Sequence, residues 1–404
     1  MTPLYDAIRA YAGQNPARFH MPGHKGSFLP VPELQSIAPL DVTEVEPTGD
    51  LFSGGEPFDQ AQALWARHFG MEDCLFLTGG STLGLHAALA LFCRPGDQVL
   101  IDRGCHRAVY NAMALLDLEP VYLPRPWRAG EGIAGPISPQ DVENLLDSHP
   151  NIKTVCITSP TYSGVLSDVA QLSHLIHARG GKLIVDGAHG AHLPFLGVDA
   201  FSGCDALICS AHKTLPALGQ SALLFTNGVD PRRVRQMTSV FGSSSPSYPM
   251  MISLDCARDY LEGDGTEEYR RVARRTAALR AAFPSLQEGE LHLDPTRLTL
   301  TSPDGNALAQ ALEGENIWPE MADSGHVVLI LTAQDSEDDL HCLEEALQRH
   351  RNLLGTPPIL PPPPMPKPVR FLREALFAPV ERLPLENCLG RVAAGQLAPY
   401  PPGV

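Results

Sequence analysis

Three polar segments of this sequence each come directly after a short apolar run, where a buried strand would end. Lys213 lies in the segment Ser-Ala-His-Lys-Thr after one run, Asp186 ends a second run, and a Gly-Gly-Ser-Thr loop at 79–82 follows a third. The carboxyl ends of parallel strands meet at one edge of a sheet, where α/β proteins place their chemistry. Such a set of groups suits pyridoxal 5'-phosphate (PLP). The lysine amine can bind the aldehyde of PLP, the aspartate can lie beside its pyridine nitrogen, and the glycine loop can hold its phosphate.

This hypothesis gives a role to each polar group around the lysine. Lys213 would form the Schiff base, and Asp186 would keep the pyridine nitrogen protonated so that the ring withdraws electrons from the substrate α-carbon. Ser210 and His212 flank the lysine and are candidates for binding phosphate or relaying protons. Each of these residues alone has an ordinary explanation, such as a solvated lysine or an aspartate that caps a helix. Their order and their common place after strands favour a shared site.

The Gly-Gly-Ser-Thr loop predicts a helix N-terminus at the same edge. Ser81 or Thr82 can cap a helix over 83–92, and the free backbone N–H groups there would suit a phosphate. His106 follows the strand predicted at 98–102. A lone histidine in that place is more often a structural hydrogen-bonding group, but its position beside the other groups makes it a further candidate.

A metal site is the alternative from another class of chemistry. Asp186, His189 and His192 form an Asp-x-x-His-x-x-His pattern that can ligate a metal ion in a metallo-hydrolase, with His20 and His24 as further ligands. This alternative leaves the lysine and the glycine loop unexplained, so no metal is expected. The sequence contains neither a G-x-S-x-G elbow nor a G-x-x-x-x-G-K-[ST] loop, which disfavours an α/β-hydrolase and an NTPase.

Composition narrows the class of protein. The chain has 404 residues, 44% of them hydrophobic and 19% charged, which is typical of a globular protein with a large core. A net charge of −16 without a basic stripe disfavours a nucleic-acid partner, and no apolar stretch is long enough to span a membrane. The nine cysteines are scattered without a C-x-x-C pair and no signal-peptide pattern is present, which predicts a cytoplasmic location.

The order of predicted elements indicates an α/β fold. Strands are predicted at 74–78, 98–102, 119–123, 153–158, 182–186, 206–210 and 221–225, with helices between several of them. Seven such strands predict a mostly parallel, doubly wound sheet, and strands at 291–301 and 326–332 predict a smaller α/β domain. The predicted parts are an N-terminal arm with active-site loops at 1–50, a large domain at 51–250, a small domain at 251–355, a proline-rich linker at 356–368 and a short C-terminal segment at 369–404.

Taken together, the motifs resemble the Orn/Lys/Arg decarboxylase family, which has the aspartate-aminotransferase fold, fold type I of PLP enzymes. The resemblance covers most of the chain. The motifs that carry it include Thr2-Pro3-Leu4-Tyr5, Phe19-His20-Met21-Pro22-Gly23-His24-Lys25-Gly26, Asp41-Val42-Thr43-Glu44, Gly80-Ser81-Thr82, Asp186-Gly187-Ala188-His189-Gly190, Ser210-Ala211-His212-Lys213 and Tyr400-Pro401-Pro402-Gly403. It implies a PLP-dependent decarboxylase that converts arginine, lysine or ornithine to the amine. It also implies a homodimer or larger homo-oligomer with the active site at the dimer interface.

The resemblance assigns cofactor contacts to eight residues, with Lys213 as the Schiff-base lysine and His106 stacked on the ring: Ser81, Thr82, His106, Asp186, His189, Ser210, His212 and Lys213. Two departures from the family stand out. The chain lacks the N-terminal wing domain of the largest members, and it stops where relatives continue, so the C-terminal segment is expected to be trimmed. An aminotransferase shares the fold and is the second alternative. The preference for decarboxylation comes from the resemblance, because the sequence does not locate an arginine that would clamp a substrate carboxylate.

Overall fold

The structure is a computed structural model that describes residues 1–362, 365 and 368–393. The motif at 400–403 and part of the predicted linker lie outside these residues. In the described part of the chain, the strands are β1 (Asp73–Leu77), β2 (Gln98–Asp102), β3 (Glu119–Leu123), β4 (Trp127–Arg128), β5 (Ile133–Ala134), β6 (Thr154–Thr158), β7 (Lys182–Asp186), β8 (Ala206–Cys209), β9 (Ala222–Thr226), β10 (Arg297–Thr301), β11 (Met321–Ala322) and β12 (His326–Ile330). The α-helices are α1 (Pro3–Gly13), α2 (Phe58–Phe69), α3 (Gly80–Phe92), α4 (Arg107–Leu116), α5 (Pro139–Ser148), α6 (Val169–His177), α7 (Ala211–Thr214), α8 (Pro231–Phe241), α9 (Tyr248–Tyr260), α10 (Thr266–Ala282), α11 (Gly305–Glu313), α12 (Glu337–Arg349) and α13 (Leu372–Phe377).

Seven strands form one large sheet in the order β1-β9-β8-β7-β6-β2-β3. Every neighbouring pair from β8 to β3 is parallel, whereas β9 runs antiparallel to both β1 and β8. Parallel neighbours need crossover connections, which here are largely helices. The predicted fold class, a mostly parallel seven-stranded doubly wound sheet, is confirmed, and each predicted strand of this sheet is placed within one residue at either end.

The central strands of the large sheet are buried on both faces. In β7, β8 and β9 the apolar run is unbroken, and every residue from Leu183 to Val185, Ala206 to Cys209 and Ala222 to Phe225 is buried. Helices cover both sides of such a sheet, which explains why the strand sequences do not alternate between polar and apolar residues. Several helices begin at polar caps, for example at Ser138, whose hydroxyl accepts from the backbone of Asp141, and at Asp168.

A second, three-stranded antiparallel sheet, β10-β12-β11, has its own apolar core with α10, α11 and α12. The strand predicted at 291–301 is shorter than expected, because only Arg297–Thr301 pairs with β12. The segment before it turns at Asp294 and approaches the large sheet. The boundaries of the domains themselves stay a prediction. Among the described residues, no helix is both long enough and apolar enough to cross a membrane.

Candidate active site

The candidate site lies where β7 and β8 end side by side. These strands are parallel, with Asp186 opposite Ile208, so both of their carboxyl ends reach the same edge of the sheet. Asp186 is the last residue of β7, and Lys213 lies on the single turn of α7 that follows β8. His106 follows β2, which ends at this edge because it is also parallel to β6 and β7. Residues more than 100 positions apart therefore meet at one place.

Asp186 is a buried carboxyl group at the end of β7. Its side chain is 2% exposed, and its Oδ1 accepts a hydrogen bond of 3.2 Å from the backbone N–H of Ala188. Burial raises the pKa of Asp186 to about 6, although the nearby charge of Lys213 acts to lower it. A carboxylate whose ionised form is penalised in this way would be stabilised by a cationic N–H group brought next to it.

Lys213 extends its amine toward His189, with 3.0 Å between Lys213 Nζ and His189 Nε2. Burial lowers the pKa of Lys213 below its ordinary value, with Asp186 acting in the opposite direction. The free-base form of the lysine is the nucleophilic form, so a lowered pKa favours attack on a carbonyl group.

His189 connects this lysine to the smaller sheet. Its ring is 5% exposed, and its Nδ1 lies 3.3 Å from Nη2 and 3.4 Å from Nη1 of Arg297. Tyr162 packs edge-on against the same ring, with the centroids 4.7 Å apart, and its hydroxyl donates to Glu320. Burial, together with the charges of Lys213 and Arg297, holds the pKa of His189 well below its usual range. The histidine is therefore neutral.

The Gly-Gly-Ser-Thr segment forms the start of α3. The helix begins at Gly80, which has a φ of +69°, and Gly79 at the N-cap position supplies no side-chain hydrogen bond. The expectation that Ser81 or Thr82 caps the helix is wrong, because both lie inside its first turn. Ser81 is half-buried and its Oγ accepts a 2.9 Å hydrogen bond from Ser210 Oγ, whereas Thr82 is exposed. Two hydroxyls and an uncapped helix N-terminus are suited to hold an anion.

His106 and His212 are each tied to backbone groups. His106 caps α4, because its Nδ1 accepts from the backbone N–H of Ala108 at 3.2 Å. Burial, and then the charge of Lys213, lower the pKa of His106 to about 4, so its ring is neutral at physiological pH. His212 Nδ1 donates to the backbone oxygen of Ser221 at 2.9 Å, which fixes the orientation of the ring.

The predicted metal pattern does not form a metal site. His192 Nε2 lies 2.9 Å from Asp294 Oδ1 and 3.0 Å from the hydroxyl of Thr296, while His189 contacts Lys213. Within the described residues, no three His, Cys, Asp or Glu side chains are grouped so that they could hold a metal ion. The structure thus brings Asp186, His189 and Lys213 together but directs His192 elsewhere.

Sequence reasoning missed an ion pair that fixes the edge of the sheet. Asp102, the last residue of β2, is fully buried and accepts from Arg125 Nη2 at 2.6 Å and from Arg125 Nε at 3.0 Å. The same guanidinium donates to the backbone oxygens of Thr158, at the end of β6, and of Gly135. Arg297 and Tyr162 were missed as well. No local pattern marks these residues, because each acts through a partner far away in sequence.

A family model described as Orn/Lys/Arg decarboxylase, major domain, matches residues 2–302. The chain belongs to this family. Over all of its length it is 31% identical to an uncharacterised protein, YaaO, of Bacillus subtilis (strain 168), covering 90% of that protein. It is also 28% identical to an arginine decarboxylase of Bacillus cereus, again over the whole chain and 95% of the relative.

The fold is also that of larger solved enzymes. The structure of the constitutive lysine decarboxylase of E. coli matches with a TM-score of 0.75 and 20% identity, over 87% of this chain. The matched region is 61% of that enzyme, so this chain spans about three fifths of its length. At this identity the likeness establishes the fold alone.

Proposed function

We propose that this protein is a PLP-dependent decarboxylase that converts a basic amino acid (arginine, lysine or ornithine) to the corresponding amine. One observation carries the proposal: a buried carboxyl group, a lysine with a lowered pKa and an uncapped helix N-terminus surround a single edge of the sheet. In a chain of the Orn/Lys/Arg decarboxylase family, these three groups correspond to the three needs of the cofactor.

The residues fit the cofactor chemically. Asp186 is ionised only at a cost in its buried position, which a pyridinium N–H would offset. The hydroxyls of Ser81 and Ser210 lie 2.9 Å apart at the N-terminus of α3, as two groups around one phosphate would. His106, held by its bond to the backbone of Ala108, offers a neutral ring for stacking. Thr82 is exposed on the same turn and is proposed as a further phosphate contact.

The chain contributes three actions to the proposed reaction. PLP, when bound, supplies an electron sink for the pair left at the α-carbon when carbon dioxide departs. Asp186 would keep the pyridine nitrogen protonated, so that the ring can accept that electron pair. Lys213 would supply the amine that holds the aldehyde of the cofactor. A proton must then return to the α-carbon, and Lys213 Nζ and His212 Nε2 are the candidate donors.

Arginine is the first substrate to test. A relative with a named activity that matches this chain end to end, from Bacillus cereus, is an arginine decarboxylase, and this chain covers 95% of that enzyme. The lysine decarboxylase of known structure matches over only 61% of its length. The depth of the pocket and the group that meets the distal cation would decide between arginine, lysine and ornithine, since all three share the same reacting end.

A homodimer is proposed as the working form. Its support within the chain is the N-terminal loop, where Phe19, Met21 and Phe28 are 97%, 55% and 67% exposed. Large apolar side chains in one loop are typical of a surface that another chain covers. Light scattering at micromolar concentration should give twice the mass of the chain or more; a fully active monomer would contradict this proposal.

The function is tested with three amino acids. The protein supplied with PLP is incubated separately with arginine, lysine and ornithine, and carbon dioxide and the amine are measured. We expect equal amounts of both products from one substrate, and none from Lys213→Ala. The matched control is Lys153→Ala, which removes an exposed lysine just before β6 and should retain activity. Transfer of the amino group to a keto acid without carbon dioxide would identify an aminotransferase instead.

A further inference from the structure

We propose that Arg297 is a positioning residue that fixes the tautomer of His189 and thereby holds the amine of Lys213 in its neutral form. The inference deepens the proposed function, and it rests on that function because it assigns Lys213 as the amine that reacts with the cofactor. It concerns contacts within the chain, so it can be tested without activity.

Arg297 is placed where it can act only as a donor to the histidine. It is the first residue of β10, and its side chain is 1% exposed. Both of its terminal nitrogens face His189 Nδ1, at 3.3 and 3.4 Å, and Nη1 also donates to the backbone oxygen of Tyr162 at 3.3 Å. Asp294 lies 3.9 Å from Nη2 and supplies a counter-charge. A guanidinium has no acceptor atom, so the shared hydrogen bond requires a lone pair on His189 Nδ1.

The position of one proton then determines the next. A neutral imidazole has one protonated nitrogen, so a lone pair on Nδ1 places the proton on Nε2. His189 Nε2 lies 3.0 Å from Lys213 Nζ, and an ammonium group there would set two donors against each other. The contact is a hydrogen bond only if Nζ carries a lone pair. The three residues therefore favour Nε2–H donating to a neutral lysine amine, the form that attacks a carbonyl group.

The surrounding backbone holds the guanidinium in this orientation. Gly164 packs against the stem of Arg297, and a Cβ added to this glycine would lie 2.7 Å from Arg297 Cγ. The loop that contains Gly164 is bound both to the segment before β10, where Asp294 N–H donates to the Gly164 oxygen at 2.8 Å, and to β10 itself, where Thr299 Oγ1 donates to the Ser163 oxygen at 3.1 Å. A buried and enclosed guanidinium is poorly placed to clamp a substrate carboxylate directly.

Other charged groups act on the same pair. Those that face Lys213 or His189 from the elements packed around them are Asp186, His106, His192, Arg297 and Glu320. Burial disfavours the charged lysine most strongly, Asp186 and Glu320 favour it, and Arg297 adds a smaller charge that disfavours it. Replacing Arg297 therefore removes both the donor that selects the tautomer and a charge that opposes protonation.

The tautomer can be measured on the unmodified chain. Long-range nitrogen–proton NMR on ¹⁵N-histidine-labelled protein distinguishes the two neutral forms, and His189→Gln assigns the signal by its loss. We expect His189 to carry its proton on Nε2 at pH 7. A signal showing the proton on Nδ1, or a doubly protonated ring, would overturn the proposal. This result does not depend on whether PLP binds, so it separates the inference from the proposed function.

The consequence at the lysine is measured by chemical labelling. Fluorodinitrobenzene reacts with the neutral amine only, so the pH dependence of Lys213 labelling, read by peptide mass spectrometry, reports its pKa. For Arg297→Met we expect the midpoint to rise by about one pH unit, which lowers labelling at pH 7 about tenfold. Arg297→Lys keeps a cationic donor and should restore most of the rate.

Arg258→Met is the matched control, because Arg258 is a fully buried arginine of α9 that pairs with Asp255 and Glu262 and not with His189. Its loss should leave the labelling midpoint of Lys213 unchanged even if the chain becomes less stable. A folded Arg297→Met protein that labels as fast as the wild type would refute the proposal. If that variant does not fold, the tautomer measured on the wild type decides the question.

Discussion

Asp186→Asn should stabilise the cofactor-free protein while it abolishes the proposed reaction. Asp186 is 2% exposed, and burial raises its pKa from 3.8 to about 6. An acid with a higher pKa in the folded state binds its proton more tightly there, so ionisation of the carboxyl group costs stability as the pH rises between these two values. The difference of about 2 pH units corresponds to a loss of about 3 kcal/mol in the free energy of unfolding. Asparagine does not ionise, so the variant would avoid this loss.

The expected gain depends on pH in a defined way. The variant should exceed the wild type in free energy of unfolding by about 1.5 kcal/mol at pH 5 and by about 3 kcal/mol at pH 8. The assay is urea denaturation of the cofactor-free proteins across this interval. With PLP added, the variant should lose at least about 100-fold in decarboxylation rate, because the anion that stabilises the electron sink is gone.

Asp102→Asn supplies the matched control for this reasoning. Asp102 is equally buried at the same edge, but it is engaged by Arg125 through bonds of 2.6 and 3.0 Å. Removing its charge leaves a buried guanidinium without its partner, so this variant should be less stable by about 3 kcal/mol. The account of Asp186 is refuted if Asp186→Asn destabilises the protein at pH 8, or if its advantage does not grow with pH.

Three further changes have defined outcomes. Ser210→Ala removes the hydroxyl that donates to Ser81 and should weaken PLP binding about tenfold, measured by absorbance titration. Gly80→Ala places a side chain at a φ of +69° and should cost about 1 kcal/mol of stability in urea denaturation, together with weaker PLP binding. Burial opposes ionisation of Asp294, but the contact with His192 outweighs burial and holds the pKa of Asp294 below its usual range. The ionised carboxylate therefore stabilises the folded state at neutral pH, and this stabilisation is lost in acid. Asp294→Asn should therefore be about 3 kcal/mol less stable at pH 7, with a smaller deficit as the pH falls.

The large sheet could be predicted because each of its strands is a compact apolar run that the sequence ends with a polar or turn segment. Two helices that follow the sheet in sequence, α8 and α9, could not be predicted in the same way. In α8 only Val234 and Thr238 are buried, so the apolar face is too narrow to stand out. In α9 the buried positions include Asp255 and Arg258, which pair with each other inside the protein and reverse the expected pattern of polar and apolar residues.

In the candidate site, the sequence predicts the residues at the ends of strands but not those that act through partners far away in sequence. Lys213 and Asp186 could be proposed from the sequence because each lies at or shortly after the end of an apolar strand, and parallel strands bring such positions together. Arg297 could not, since it lies 108 positions from His189 and begins a strand of the smaller sheet. The prediction for Ser81 and Thr82 as helix caps was wrong, because α3 begins at Gly80 and both residues lie in its first turn.

The attachment of the cofactor to Lys213 is the central claim, and reductive trapping tests it most directly. The protein is supplied with PLP, reduced with borohydride, digested and mapped by mass spectrometry. We predict one stoichiometric pyridoxyl phosphate adduct, on the peptide that contains Lys213. An adduct on another lysine, or none after loading with PLP, would contradict the account.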